Sequence, residues 1–127
     1  MIRSLLAAAL LVAAPALAPE AARAQDNIPV QTAPVVTLRG LDRLSGELTE
    51  FQVRAGSSTT YRDLEISVAE CRVPADNPTG DAYAYLTIKD RRATEPNFEG
   101  WMVASSPALN ALDHMRYDVW LIRCSSS

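Results

Sequence analysis

The chain has little of what most catalytic and metal chemistry requires. It holds one histidine and two cysteines in 127 residues. One imidazole and two thiols cannot complete the four-ligand shell of a zinc site. Asp76 and Asp81 flank a loop, but without the ligand spacing of a calcium loop. There is no Gly-x-Ser-x-Gly elbow and no glycine-rich phosphate cradle. No cofactor and no metal are therefore expected. Lysine is almost absent, with Lys89 alone, and the arginines are interspersed with acidic residues. A chain of net charge −3 with no basic stripe has nothing to follow a phosphate backbone, which excludes the usual nucleic-acid binders. The longest apolar run, Leu5–Ala14, is ten residues, half of what a membrane-spanning helix needs.

What is present begins with an export signal. Arg3 precedes the apolar run, and Ala22-Arg23-Ala24 places small residues at both positions that a signal peptidase reads. Residues 1–24 are expected to be a signal peptide cleaved between Ala24 and Gln25, and Pro15, Pro19 and Glu20 argue against a retained anchor. No cysteine follows the run for lipid attachment. The mature chain is expected in the periplasm or secreted, with no transmembrane segment. In an oxidising compartment an even pair of cysteines defaults to a disulfide, here Cys71 with Cys124. Two buried free thiols are the alternative; a redox pair would show Cys-x-x-Cys spacing, which is absent.

The rest of the chain divides into a flexible leader at 25–34, a single β-domain at 35–124 and a frayed tail at 125–127. The leader holds two prolines and no periodicity. Strands are expected at Pro34–Gly40 and at Glu47–Arg54, where Thr49, Phe51 and Val53 share one face. In the next strand Leu64, Ile66 and Val68 alternate. After Ala69 the phase slips to Cys71 and Val73, the signature of a β-bulge that aims Cys71 at the core. Pro74–Asp81 is a loop. Ala82–Asp90 is a strand with Tyr83, Tyr85 and Thr87 on one face, and Phe98–Val103 is a short strand. Ser106-Pro107 reads as the N-cap and first position of a short helix, with Leu109 and Leu112 on its apolar face. Tyr117–Cys124 is the last strand. Its apolar residues on both faces predict a central place in its sheet. The sum is an all-β fold: a small sandwich or barrel of six to seven short strands, with one short helix before the last strand.

Several stretches together resemble the proteobacterial domain of unknown function family 2155. They are Leu38-Arg39-Gly40-Leu41-Asp42, Phe51-Gln52-Val53, Leu64-Glu65-Ile66 with Cys71, and Gly100-Trp101-Met102. Ala104-Ser105-Ser106-Pro107-Ala108-Leu109 and Tyr117-Asp118-Val119-Trp120 closing on Cys124 complete the pattern. The resemblance covers about residues 35–124. It implies a small exported protein with a disulfide and brings no activity with it. Met115 departs from the proline that often follows the histidine in that family.

Two functional classes remain. A non-enzymatic binding module would use Tyr83 and Tyr85 on their shared face, Trp101, and the sequence-adjacent Arg91-Arg92, since aromatic faces with an arginine stack on sugars or peptides. Its partner would be an envelope protein or a glycan. The competing use of Trp101 and Trp120 is as core fillers in a chain with two phenylalanines. A weak hydrolase-like activity would draw on Ser105 or Ser106, His114, and Asp113 or Asp118. Ser106 is better used as a helix cap, and His114 as a residue near that helix's C-terminus.

Overall fold

The computed structural model describes residues 10–15 and 28–127. The cleavage position between Ala24 and Gln25 lies outside them. Among the described residues eight strands form: β1 (Val30–Thr32), β2 (Val35–Asp42), β3 (Leu48–Arg54), β4 (Ser58–Tyr61), β5 (Leu64–Pro74), β6 (Tyr83–Asp90), β7 (Phe98–Val103) and β8 (Tyr117–Ser125). All pairings are antiparallel. One sheet runs β1-β5-β6-β7, with β4 sharing the outer edge of β5 alongside β1; the other runs β3-β2-β8. Among the described residues no ladder joins the two sheets, so they form an open sandwich and not a barrel. β1 falls inside the stretch read as a leader. Val30, Gln31 and Thr32 pair with Pro74, Val73 and Arg72.

Alternation in the sequence builds the interior. Val36 and Leu38 of β2 meet Leu64, Ile66 and Val68 of β5, Ala84, Leu86 and Ile88 of β6, and Tyr117, Val119 and Leu121 of β8 in one buried cluster. The expected bulge in β5 is present. Val68 pairs with Leu86 and Glu70 with Tyr85, leaving Ala69 as the extra residue. A second bulge lies in β8, where Thr37 pairs with Arg123 and Leu38 with Leu121, so that Ile122 is extra. It turns Cys124 inward, onto the face of Leu121 and away from that of Trp120. The two bulged strands belong to different sheets, and each aims its cysteine into the interface. Cys71 and Cys124 are bonded there, with Cα atoms 6.4 Å apart.

Two expectations are corrected. No helix forms among the described residues. After Ser106-Pro107 a single turn closes, with the Leu109 N–H donating to the Ser106 carbonyl at 3.0 Å. The segment is held instead by its side chains. The Asn110 amide donates to the Trp101 carbonyl at 2.9 Å, and His114 is fixed against Asp90. Leu112 is buried while Leu109 is 75 % exposed, so the two do not share an apolar face. A helix of at most two turns has little stability of its own, and these anchors decide the path. Nor is β8 central. It pairs with β2 alone and forms a sheet edge. Two of its outward residues, Trp120 and Ile122, are apolar and are flanked by loops. Trp120 lines a shallow recess with Pro107, Ala108 and Ala111, and Ile122 lines another with Pro78 and Thr79.

Candidate binding surface

Both tryptophans lie outside the core. Trp101 stands on the outer face of β7, directly across from Tyr85 on β6. Their rings meet edge to face with centroids 5.5 Å apart. Tyr83, two residues before Tyr85, is on the same half-buried face. The bulge at Ala69 puts Arg72 of β5 opposite Tyr83 and Glu70 opposite Tyr85. Arg72 then reaches across β6, and its guanidinium carbon sits 5.0 Å from the Trp101 ring centroid, a cation–π distance. Glu70 fixes that guanidinium through two hydrogen bonds, 2.9 and 3.2 Å. On the far side the Tyr85 hydroxyl donates to Glu99 at 3.5 Å. Burial, then the nearby Asp81 carboxylate, pushes the Tyr83 phenol up, so it stays a neutral donor. Ile28, Val30 and Val103 complete an almost wholly apolar recess of about 370 Å³ beside Tyr83 and Trp101.

The structure thus brings Tyr83, Tyr85 and Trp101 together but not Arg91 and Arg92, which lie beyond the opposite end of β6 in the turn to β7. Arg72 takes the place expected of them. It was not legible in the sequence, because the β5–β6 register that sets it opposite Tyr83 is fixed across the loop between the two strands, which the pattern within either strand does not give. The Arg91 and Arg92 guanidiniums instead bind Asp63, at 2.8 and 3.3 Å. Arg92 also binds Asp90, at 3.3 Å. The hydroxyl of Tyr117 donates to Asp63 at 3.1 Å, and Arg116 pairs with Asp42 at 3.2 Å, so carboxylates and arginines tie both sheets at this end.

His114 belongs to the same network. Its Nδ1 accepts the backbone N–H groups of Arg116 (3.0 Å) and Tyr117 (3.1 Å). The ring proton is therefore on Nε2, which donates to Asp90 at 2.8 Å. Both nitrogens are occupied, and none is left to activate a hydroxyl. Ser105 is elsewhere: its hydroxyl and N–H both bond Asp81, at 2.8 and 3.0 Å. Asp81 and Asp90 flank opposite ends of β6, an eight-residue strand about 23 Å long. The serine, histidine and aspartate of the hydrolase reading are not assembled.

The His114 hydrogen bond, then the backbone and side chain of Arg92, hold the Asp90 carboxyl well below the usual carboxylate range. Arg116 also lowers the Asp42 carboxyl, mainly through its side-chain hydrogen bonds. Depressed carboxylates contribute stability that is complete above the unfolded-state pKa of about 4 and is lost as pH falls through the folded-state values. Thermal melts are accordingly expected to stay level from neutral pH to about pH 4 and to fall steadily below it. In Asp90→Asn the drop on the acid side should be smaller than in the unaltered protein. An equal acid dependence in the two would remove Asp90 from the account.

A family described as an uncharacterised protein conserved in bacteria, DUF2155, matches residues 36–124. An uncharacterised protein from Rickettsia prowazekii (strain Madrid E) is 26 % identical over 87 residues, which covers 66 % of this chain and 56 % of the relative. The chain thus spans little more than half the length of that relative. No solved structure matches. The family match runs from within β2 to within β8 and includes both cysteines, and the chain belongs to the DUF2155 family.

Proposed function

We propose that this is an exported envelope protein whose β-domain works as a non-enzymatic binding module. Export is supported by the charged, apolar and small-residue order of residues 1–24, and by a disulfide between strands of different sheets, a bond that persists in oxidising compartments. The binding reading is carried by one observation: two adjoining aromatic rings, Tyr85 and Trp101, stand outside the core with an arginine 5.0 Å from the indole. Flat aromatic faces suit the apolar face of a sugar ring, and Arg72, Glu70 and Glu99 border them with donors and acceptors for hydroxyl groups. The ligand class that fits best is an envelope glycan.

Titration of the oxidised protein with soluble peptidoglycan fragments, followed by calorimetry, tests this. Trp101→Ala is expected to weaken binding by tenfold or more, corresponding to about 1.4 kcal/mol from lost stacking on the sugar ring. Binding that survives Trp101→Ala unchanged would move the site away from this face. For the export reading, mass analysis of the protein from fractionated cells should find Gln25 at the N-terminus in the periplasmic fraction or the medium.

A further inference from the structure

The free edges of the two sheets differ in how they are closed. On β7 the Asn110 side chain covers the Trp101 carbonyl. β8 is kinked by its bulge. The outer edge of β5 is shared by the short strands β1 and β4. β3 has none of these devices. It pairs with β2 in unbroken register from Val35–Arg54 to Leu41–Leu48 and contains no proline. Among the described residues, no strand pairs with its other side.

The hydrogen bonds identify which residues face that side. The Asp42 N–H donates to the Glu47 carbonyl, and the Ala55 N–H donates to that of Pro34. Both bonds lie on the β2–β3 register, so Thr49, Phe51 and Val53 spend their backbone groups on β2. Leu48, Glu50, Gln52 and Arg54 turn theirs to the open edge. Among the described residues, the backbone groups of Leu48, Glu50 and Gln52 on that edge have no partner, while the Arg54 carbonyl accepts the Ser57 N–H at 3.0 Å.

We propose that this edge pairs with the same edge of a second copy of the chain, joining the two β3-β2-β8 sheets into one. A two-fold antiparallel pairing of β3 with itself has several registers, and charge selects among them. Centred on Gln52, the pairing sets Glu50 opposite Arg54 of the other copy, and the reverse, so opposite charges face each other twice. The same register brings Phe51 beside Val53 of the other copy. Phe51 is half-buried in the single chain, stacked on Tyr61 at 5.3 Å. Shifting the centre to Glu50 would set two carboxylates against each other, and centring on Phe51 leaves both charges facing neutral side chains. Cross-strand pairs of opposite charge stabilise a ladder, and like charges oppose it. Glu50 also lies 3.5 Å from Arg123 of its own chain, in an exposed contact that leaves it free to be shared.

Sedimentation of the oxidised protein over a range of concentrations tests the proposal, because the charge pattern can be rewritten. The unaltered protein should form a dimer. Glu50→Arg and Arg54→Glu each set like charges opposite one another, and each variant alone should dimerise at least tenfold more weakly. Mixed together, the two variants again set a cation against a carboxylate at both pairs and should recover a heterodimer. A measurement on the unaltered protein guards against effects of the substitutions on folding. Amide exchange at Glu50 and Gln52 should slow as concentration rises, while Phe51, bonded to β2, should not change. A protein that remains monomeric to millimolar concentration overturns the proposal. So does a dimer that both charge reversals leave intact.

Discussion

Replacing both cysteines, Cys71→Ala with Cys124→Ala, is expected to lower the unfolding free energy by about 4 kcal/mol and the melting temperature by about 20 °C. The bond closes a loop of 53 positions between a strand of each sheet, so its loss restores a large amount of freedom to the unfolded chain. It is also a covalent tie between two sheets that, among the described residues, share no backbone ladder. A domain of this size has on the order of 5–15 kcal/mol in total, so the variant should be marginal at growth temperature. Thermal unfolding followed by far-ultraviolet circular dichroism, with the oxidised protein alongside, measures the difference. Matching melting temperatures would mean that the sandwich holds without the tie.

Gly40→Ala is the second large effect. Gly40 lies in β2 beneath the Tyr61 ring, and a Cβ there would stand 2.5 Å from Cζ and 2.7–2.8 Å from both Cε atoms. Tyr61 is buried, stacked on Phe51 and meeting Tyr117 edge-on at 5.8 Å, so the ring has no open side to move into. Overpacking of this kind costs about 1–3 kcal/mol. The added methyl needs room that a smaller side chain at position 61 would give. In a Tyr61→Leu background the cost of Gly40→Ala should therefore nearly vanish, a coupling readable in denaturant unfolding of the four proteins. Additive costs in that cycle would exclude the ring as the cause.

How much of this could be read from the chain depends on whether local pattern or long-range register decided the outcome. The β5 bulge was legible because charged and small residues separate its apolar ones, so the slip after Ala69 shows. The β8 bulge was not. Trp120, Leu121 and Ile122 are all apolar, and an extra residue among them leaves no break in alternation. The same run made an edge strand look central, since the segment at Pro107–Ala111 and the loop at Pro78-Thr79, which flank Trp120 and Ile122, are placed by contacts that alternation along β8 does not show. The Ser106-Pro107 start signal is real as local chemistry. It was overridden by Asn110 and His114, whose partners Trp101 and Asp90 lie on other strands. On the candidate surface, Tyr83 and Tyr85 follow from alternation within one strand. The arginine that joins them does not, because nearness in sequence favoured Arg91 and Arg92, and the turn after β6 carries those to Asp63.

On the proposed reading, the outer face of β6 and β7, and not the apolar patch around Trp120, is the surface that meets a ligand. The two tryptophans make it directly measurable, one on each sheet. With Trp120→Phe, Trp101 is the sole indole reporter; with Trp101→Phe, Trp120 is. Titrating both variants with the same peptidoglycan fragments should shift and quench the Trp101 emission saturably and leave the Trp120 emission unchanged. A saturable response from Trp120 with none from Trp101 would contradict the account.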